Sequence, residues 1–215
     1  MANLGPFHHL LAPLVATVAL TACAGSYTGP VEVTRFVADD RATLGQGRIR
    51  IEFPDEIRNE AARDAFTAAV AQSLTSLGYE VVLDFNPAVS DPATQIAAVR
   101  TSRSALAGES SRGPVSVGVG GQTGSFGSGV GVGVGVDLGG GTRRPNVLSE
   151  LAVRISTMDG VSLWEGRAQQ PVSINSPYSD VATSANTLAA ALFRDFPGGN
   201  GETVSVNVRE LSSAK

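Results

Sequence analysis

Two hydropathy periods run through this chain, and together they leave few folds open to it. Apolar and polar residues alternate over Val31–Val37 and over residues 47–53, where Ile49, Ile51 and Phe53 oppose Arg48, Arg50 and Glu52. They alternate again over residues 148–157, through Leu151, Val153 and Ile155. A period of two lays one apolar row along one face of a half-buried strand. Two other stretches repeat every three and four residues. Ala62, Phe66, Ala69, Val70, Ser73, Leu74 and Leu77 form one stripe, and Val181, Ala185, Leu188, Ala189, Leu192, Phe193 and Phe196 form the other. Each predicts an amphipathic helix that buries one face.

Punctuation sets the limits of these elements. The first helix follows Pro54, with Asp55, Glu56 and Glu60 at its positive end and Gly78 as its left-handed stop. The second runs from Asp180 to Phe196 and ends in Pro197-Gly198-Gly199. Residues 79–85 are almost continuously apolar and read as a strand in the sheet interior; Ile96, Ala97, Ala98 and Val99 mark another. Met158-Asp159-Gly160-Val161 turns the 148–157 strand back through Leu163-Trp164-Glu165-Gly166, a β-hairpin. Polar residues 169–178 read as the connection to the second helix, and residues 203–208 as a last strand at an edge. The expectation is an α+β fold: a two-layer sandwich of a mixed, mostly antiparallel sheet of six or seven strands, both helices on one face, with a Gly/Val-rich insertion.

The N-terminus has a different character. Residues 10–20 form an apolar run closed by Leu20-Thr21-Ala22-Cys23, which holds the chain's single cysteine. Small residues ahead of a cysteine, after a short apolar segment, make the pattern of a lipoprotein signal, with cleavage between Ala22 and Cys23 and diacylation of the Cys23 thiol. The run suits the roughly 7–15 apolar residues of a signal peptide and falls short of the roughly 20 that cross a bilayer. On this reading residues 1–22 are removed, 23–30 are a lipidated tether, 31–210 form one domain and 211–215 a tail.

Cleavage there also removes His8 and His9, the only two histidines. A mature chain without imidazole or free thiol excludes the Ser-His-Asp and Cys-His arrangements and the usual zinc and transition-metal ligand sets. It excludes an internal disulfide too, so the core alone must hold the fold. Carboxylates remain the only acid/base type, as a cell-wall glycan hydrolase would use, but Asp39-Asp40 and Asp159 read as turns and Glu165 as an exposed strand position. Trp164 reads as a core or sheet-face residue rather than a sugar platform. A net charge of −4 with dispersed arginines gives no footprint for nucleic acid. No enzyme activity, cofactor or metal is expected.

Residues 108–145 hold about half of the 25 glycines. Val115, Val117 and Val119 alternate with small residues in one run, Val130, Val132, Val134 and Val136 in a second, and Phe126 lies between them. Two readings stay open: a low-complexity insert, or a hairpin with a valine stripe that meets a partner, another copy or the lipid surface.

With its lipobox, Leu77-Gly78-Tyr79, a glycine-rich insertion over residues 113–141, Met158-Asp159-Gly160 leading to Leu163-Trp164-Glu165-Gly166, and Phe196-Pro197, the chain resembles the bacterial lipoproteins grouped as domain of unknown function 4136. The likeness spans nearly the whole mature chain, except that Asp39 to Phe53 lacks the family's aromatic-rich segment ending in Trp. The resemblance implies a lipoprotein and, because Ala24 rather than Asp follows Cys23, the periplasmic face of the outer membrane; it implies no reaction. The expected role is a non-enzymatic envelope accessory or interaction module, anchored through its lipid and meeting an envelope protein or a second copy. The alternative is a lipid or glycan binder in which Arg100, Arg103, Arg112, Arg143 and Arg144 gather to meet phosphate.

Overall fold

The period-two stretches become the strands of one sheet. The computed structural model describes residues 26–54, 59–83, 93–106 and 146–212. Ala22, Cys23 and the insertion residues Val115, Val117, Val119, Phe126, Val130, Val132, Val134 and Val136 lie outside them. In chain order the elements are β1 (Val31–Val37), β2 (Arg48–Glu52), α1 (Glu60–Ser76), β3 (Glu80–Val82), β4 (Gln95–Ala105), β5 (Val147–Thr157), β6 (Ser162–Val172), a 3-10 turn (Pro177–Ser179), α2 (Val181–Phe193), β7 (Thr203–Val206) and α3 (Val208–Ser212). The seven strands order as β3-β2-β4-β5-β6-β1-β7. Only the β2–β3 and β2–β4 pairings are parallel; the other four are antiparallel. This is the expected α+β sandwich of a mixed sheet with two main helices.

One core joins the layers. Val31, Val33, Ala97, Val99, Leu151, Val153, Ile155, Trp164 and Ala168 from the sheet pack with Phe66, Ala69, Val70 and Leu74 of α1 and Ala185, Leu188, Ala189, Leu192 and Phe193 of α2. The strand alternation and both helical stripes therefore point to the same place.

The structure departs from the sequence reading in six places, one of them the last strand, which ends at Val206 while Val208 opens α3. Of the strand expected over 79–85, Glu80–Val82 form β3, which pairs with β2 alone at a sheet edge rather than in the interior; Asp84 and Phe85 lie outside the described residues. Tyr79 is buried beneath the end of α1 while Leu83 is exposed, so the apolar run straddles a helix exit and an edge strand. α1 starts later than Pro54, where the Asn59 side chain accepts from the Ala62 N–H at 3.2 Å. β6 continues past Gly166 to Val172 because its polar residues find partners: buried Gln170 donates to the Gly29 carbonyl at 3.2 Å, and Gln169 to Glu150 at 2.6 Å. α2 ends at Phe193, three residues early, and Phe196 packs beyond it as a separate aromatic. Leu211, assigned to the tail, lies in α3 and packs against the core.

α2 begins at a cap that makes it acid-sensitive. One carboxylate oxygen of Asp180 accepts from the Thr183 N–H at 2.9 Å and from its hydroxyl at 3.0 Å. The bond from the Thr183 N–H, then that from its hydroxyl, holds this carboxyl below its ordinary value of 3.8. A depressed carboxylate pKa adds stability that is complete above the unfolded value and is lost as pH falls through the folded one. In urea titrations from pH 6 downward, wild type is expected to lose this contribution below about pH 4, while Asp180→Asn, which still caps, loses less over that window. Parallel curves for the two would refute the assignment.

Candidate functional site: the open sheet face and the motif junctions

The motifs singled out in the sequence come together as packing junctions. Trp164 is fully buried; its ring stacks on Phe193 at 5.5 Å, meets Phe196 at 5.2 Å, and its indole N–H donates to the Pro197 carbonyl at 2.9 Å. The Phe196–Pro197 peptide is cis. Gly166 makes the space: a Cβ there would stand 2.3 Å from Trp164 Cη2 and 2.8 Å from Leu192 Cδ1. The Leu-Trp-x-Gly and Phe-Pro motifs are thus two halves of one contact.

Arg35 closes the same junction. It belongs to the inward row Val31, Val33, Arg35, Val37, and its buried guanidinium donates to the carbonyls of Leu192 (3.0 Å), Ala191 (3.1 Å) and Arg194 (2.7 Å). These are carbonyls that the end of α2 leaves without intrahelical partners, and the positive charge sits at the negative end of the helix. Burial lowers the Arg35 pKa and Asp195 opposes the shift; guanidinium stays protonated regardless. Gly198, at φ 79°, lies against the Arg35 stem, where a Cβ would be 2.7 Å from Cδ. Sequence reasoning missed Arg35, although a lone charged residue in an apolar period-two row was a visible signal.

A second junction accounts for Leu77-Gly78-Tyr79. Gly78 has φ 102°, and a Cβ there would meet the Gly45 carbonyl oxygen at 2.8 Å. Buried Tyr79 donates its hydroxyl to Gln95 Oε1 at 3.4 Å, while Gln95 Nε2 donates to the carbonyls of Thr43 (3.0 Å) and Gln46 (3.1 Å). Burial raises the Tyr79 pKa, which keeps this donor protonated. The helix exit, the loop before β2 and the start of β4 are pinned together by these hydrogen bonds, which converge on the buried Gln95 side chain.

What remains for recognition is the sheet face turned away from the helices. Alternation places Arg48, Arg50 and Glu52 of β2, Ile96, Ala98, Arg100, Ser102 and Ser104 of β4, Leu148, Glu150, Ala152 and Arg154 of β5, Glu165 and Arg167 of β6, and Glu32, Thr34 and Phe36 of β1 on that face. Its charges interlock. Arg154 lies 3.5 Å from Glu165, Arg167 lies 3.7 Å from Glu150, and Arg50 pairs with Glu52. Such partly exposed pairs stabilise by about 0–1 kcal/mol each, and their weight is in shaping the surface: small apolar Ile96, Ala98 and Ala152 sit among balanced charges, with Phe36 46% exposed at one side.

This arrangement corrects the arginine cluster. Arg100 and Arg103 are three apart on β4, so they lie on opposite faces, and Arg103 donates to the Ser179 carbonyl at 2.7 Å on the helix side. Arg112, Arg143 and Arg144 lie outside the described residues. Asp159 occupies the β5–β6 turn expected for it, whereas Glu165, expected to be exposed, is half-buried and pairs with Arg154. Among the described residues no three His, Cys, Asp or Glu side chains gather as metal ligands, and no helix is long and apolar enough to cross a membrane.

No family model matches the chain. It is 29% identical over 217 residues to an uncharacterized protein of Zymomonas mobilis subsp. mobilis, covering 83% of this chain and 81% of that protein. Among solved structures, a PDZ domain protein from Parabacteroides distasonis is similar over 84% of this chain, with a TM-score of 0.52 at 13% identity. This chain spans 38% of that protein's length, and the likeness is one of fold alone. The PelC dodecamer from Paraburkholderia phytofirmans is similar over 75% of this chain and 92% of its own, at 10% identity and a TM-score of 0.36, too weak a likeness to build on.

Proposed function

We propose that this chain is a lipoprotein of the bacterial envelope, anchored through diacylated Cys23 at the periplasmic face of the outer membrane, and that it acts as an accessory module without a reaction of its own. The observation that carries the interaction role is the open sheet face: the helices all pack to one side of the sheet, and the other presents a broad platform of balanced charge around small apolar residues. A surface of that kind gives register and selectivity to a protein partner more than raw affinity. The anchor rests on the Leu20-Thr21-Ala22-Cys23 pattern.

Photo-crosslinking in cells tests both parts. Photoreactive residues at Phe36 and Ala152, on the open face, are expected to give a discrete protein adduct, and one at Ala68, exposed on α1, none. Cys23→Ser is expected to move the protein from the membrane to the soluble fraction and to abolish the adduct. Equal labelling from all three positions would sink the docking face, and unchanged membrane retention of Cys23→Ser would sink the anchor.

A further inference from the structure

The chain just after Cys23 is fixed to one tip of the sheet. Thr28 bridges Val172 at the end of β6. The Gly29 N–H donates to the Pro171 carbonyl at 2.9 Å, the Ser173 N–H to the Tyr27 carbonyl at 2.9 Å, and the Tyr27 N–H to the Ser173 hydroxyl at 3.0 Å. The hydroxyls of Thr28 and Ser176 lie 2.7 Å apart. Val172 pairs with Val147, and Val147 with Ala105, so residues 27–29 are sewn to the tip formed by β4, β5 and β6. Tyr27 is four residues after Cys23, and four extended residues reach at most about 14 Å. The β5–β6 turn, at the other end of two 11-residue strands, lies roughly 36 Å away along the sheet. A lipid on Cys23 therefore holds this tip, not the far one, against the bilayer.

The chemistry of the tip agrees with that placement. Ile174 is 60% exposed, and its backbone is fixed on both sides: its N–H donates to Asn146 Oδ1 at 2.7 Å, and its carbonyl accepts from the Ser179 hydroxyl at 2.5 Å. An apolar side chain is thereby held outward on the same tip as the half-buried Tyr27 and Tyr178, residue types that suit the boundary between headgroups and acyl chains. Among the described residues of the tip, 26–30, 103–106, 146–148 and 171–179 contain no Asp or Glu and Arg103 is their one charge; the adjacent Asp180 stays ionised as the cap of α2 and balances it, so these residues carry no net charge. The far end carries Asp39, Asp40 and Asp159 against Arg41, a negative balance that an anionic lipid surface repels.

We infer that this tip is a membrane-contact surface, with Ile174 entering the interface of the bilayer that holds the Cys23 acyl chains and the Tyr27 and Tyr178 rings at headgroup level. The inference rests on the lipidated reading of Cys23. It orients the domain: the sheet stands away from the membrane, and the open face looks sideways along it, accessible to a partner in the same membrane. Because the anchor keeps the tip at high local concentration near lipid, a contact too weak to bind membranes unaided is populated.

The full-length lipoprotein, reconstituted in vesicles of phosphatidylethanolamine and phosphatidylglycerol, provides the test. An environment-sensitive fluorophore is attached to Ile174→Cys in one sample and to Met158→Cys, exposed near the opposite turn, in another, with headgroup-level doxyl lipids as quenchers. The expected result is a blue shift and loss of emission at position 174 and neither at position 158. Vesicle-bound protein quenched equally at both positions, or at neither, overturns the contact surface while leaving the anchor standing. Protein that fails to float with vesicles, with Cys23 unmodified by mass spectrometry, overturns the lipidated reading and the inference with it.

Discussion

Gly166→Ala, the addition of one methyl group, is expected to destabilise the domain by about 3 kcal/mol, the upper end for overpacking a rigid core. The methyl has nowhere to go. Its carbon would stand 2.3 Å from Trp164 Cη2 and 2.8 Å from Trp164 Cζ2 and Leu192 Cδ1. The indole cannot retreat without parting from Phe193 and Phe196 and breaking its bond to the Pro197 carbonyl. Trp164→Ala, which leaves a large cavity instead, costs about 3–5 kcal/mol. The two effects largely share one cause and must not add: in a Trp164→Leu background both indole overlaps are relieved and only the Leu192 Cδ1 contact remains, so Gly166→Ala costs clearly less there than in wild type. Guanidinium denaturation of the four proteins checks this. Additive losses would show that Gly166 serves its strand backbone rather than the tryptophan.

Arg35→Met is expected to cost about 3–5 kcal/mol, because one side chain supplies the donors for three carbonyls at the end of α2, two of them buried. Methionine keeps an apolar stem against Gly198 but leaves the carbonyls of Ala191, Leu192 and Arg194 without their donor. Each buried acceptor so orphaned costs about 1–3 kcal/mol. Arg35→Lys recovers only part of the loss, because an ammonium is a compact point charge while the planar guanidinium spans carbonyls from separate residues. Thermal melts should rank wild type, Lys, then Met. A lysine variant as stable as wild type would mean that charge at the end of α2 matters and the fork does not. Unlike the loss tied to Asp180, this one is constant across pH, since the guanidinium does not titrate.

Much of the fold was legible because its signals are local. The turn and facing halves of β5 and β6 follow from one alternating run, an Asp159-Gly160 turn and the return through Leu163-Trp164-Glu165-Gly166; most residues of each helical stripe enter the core; Gly78 adopts the positive φ that its place after a helix required. Asp159 occupies the turn position read for it. The candidate docking face was legible in outline, as the polar half of each alternating strand. Its identity as a single interlocked surface was not, because the pairing of Arg167 with Glu150 depends on which strands are neighbours and in what register.

By itself, then, the sequence determined where most strands and the two main helices lie, and which side of each is apolar, since periodicity is written within a few residues. Tertiary structure alone decided the strand order, with β1 lodged between β6 and β7 and β2 between β3 and β4. It alone turned polar side chains into core. Arg35, Gln95 and Gln170 are buried because carbonyls from remote segments meet them, the Leu192 carbonyl arriving from 157 residues away. A polar group's burial is stable only with a partner in place, and nothing in the local sequence says where that partner comes from.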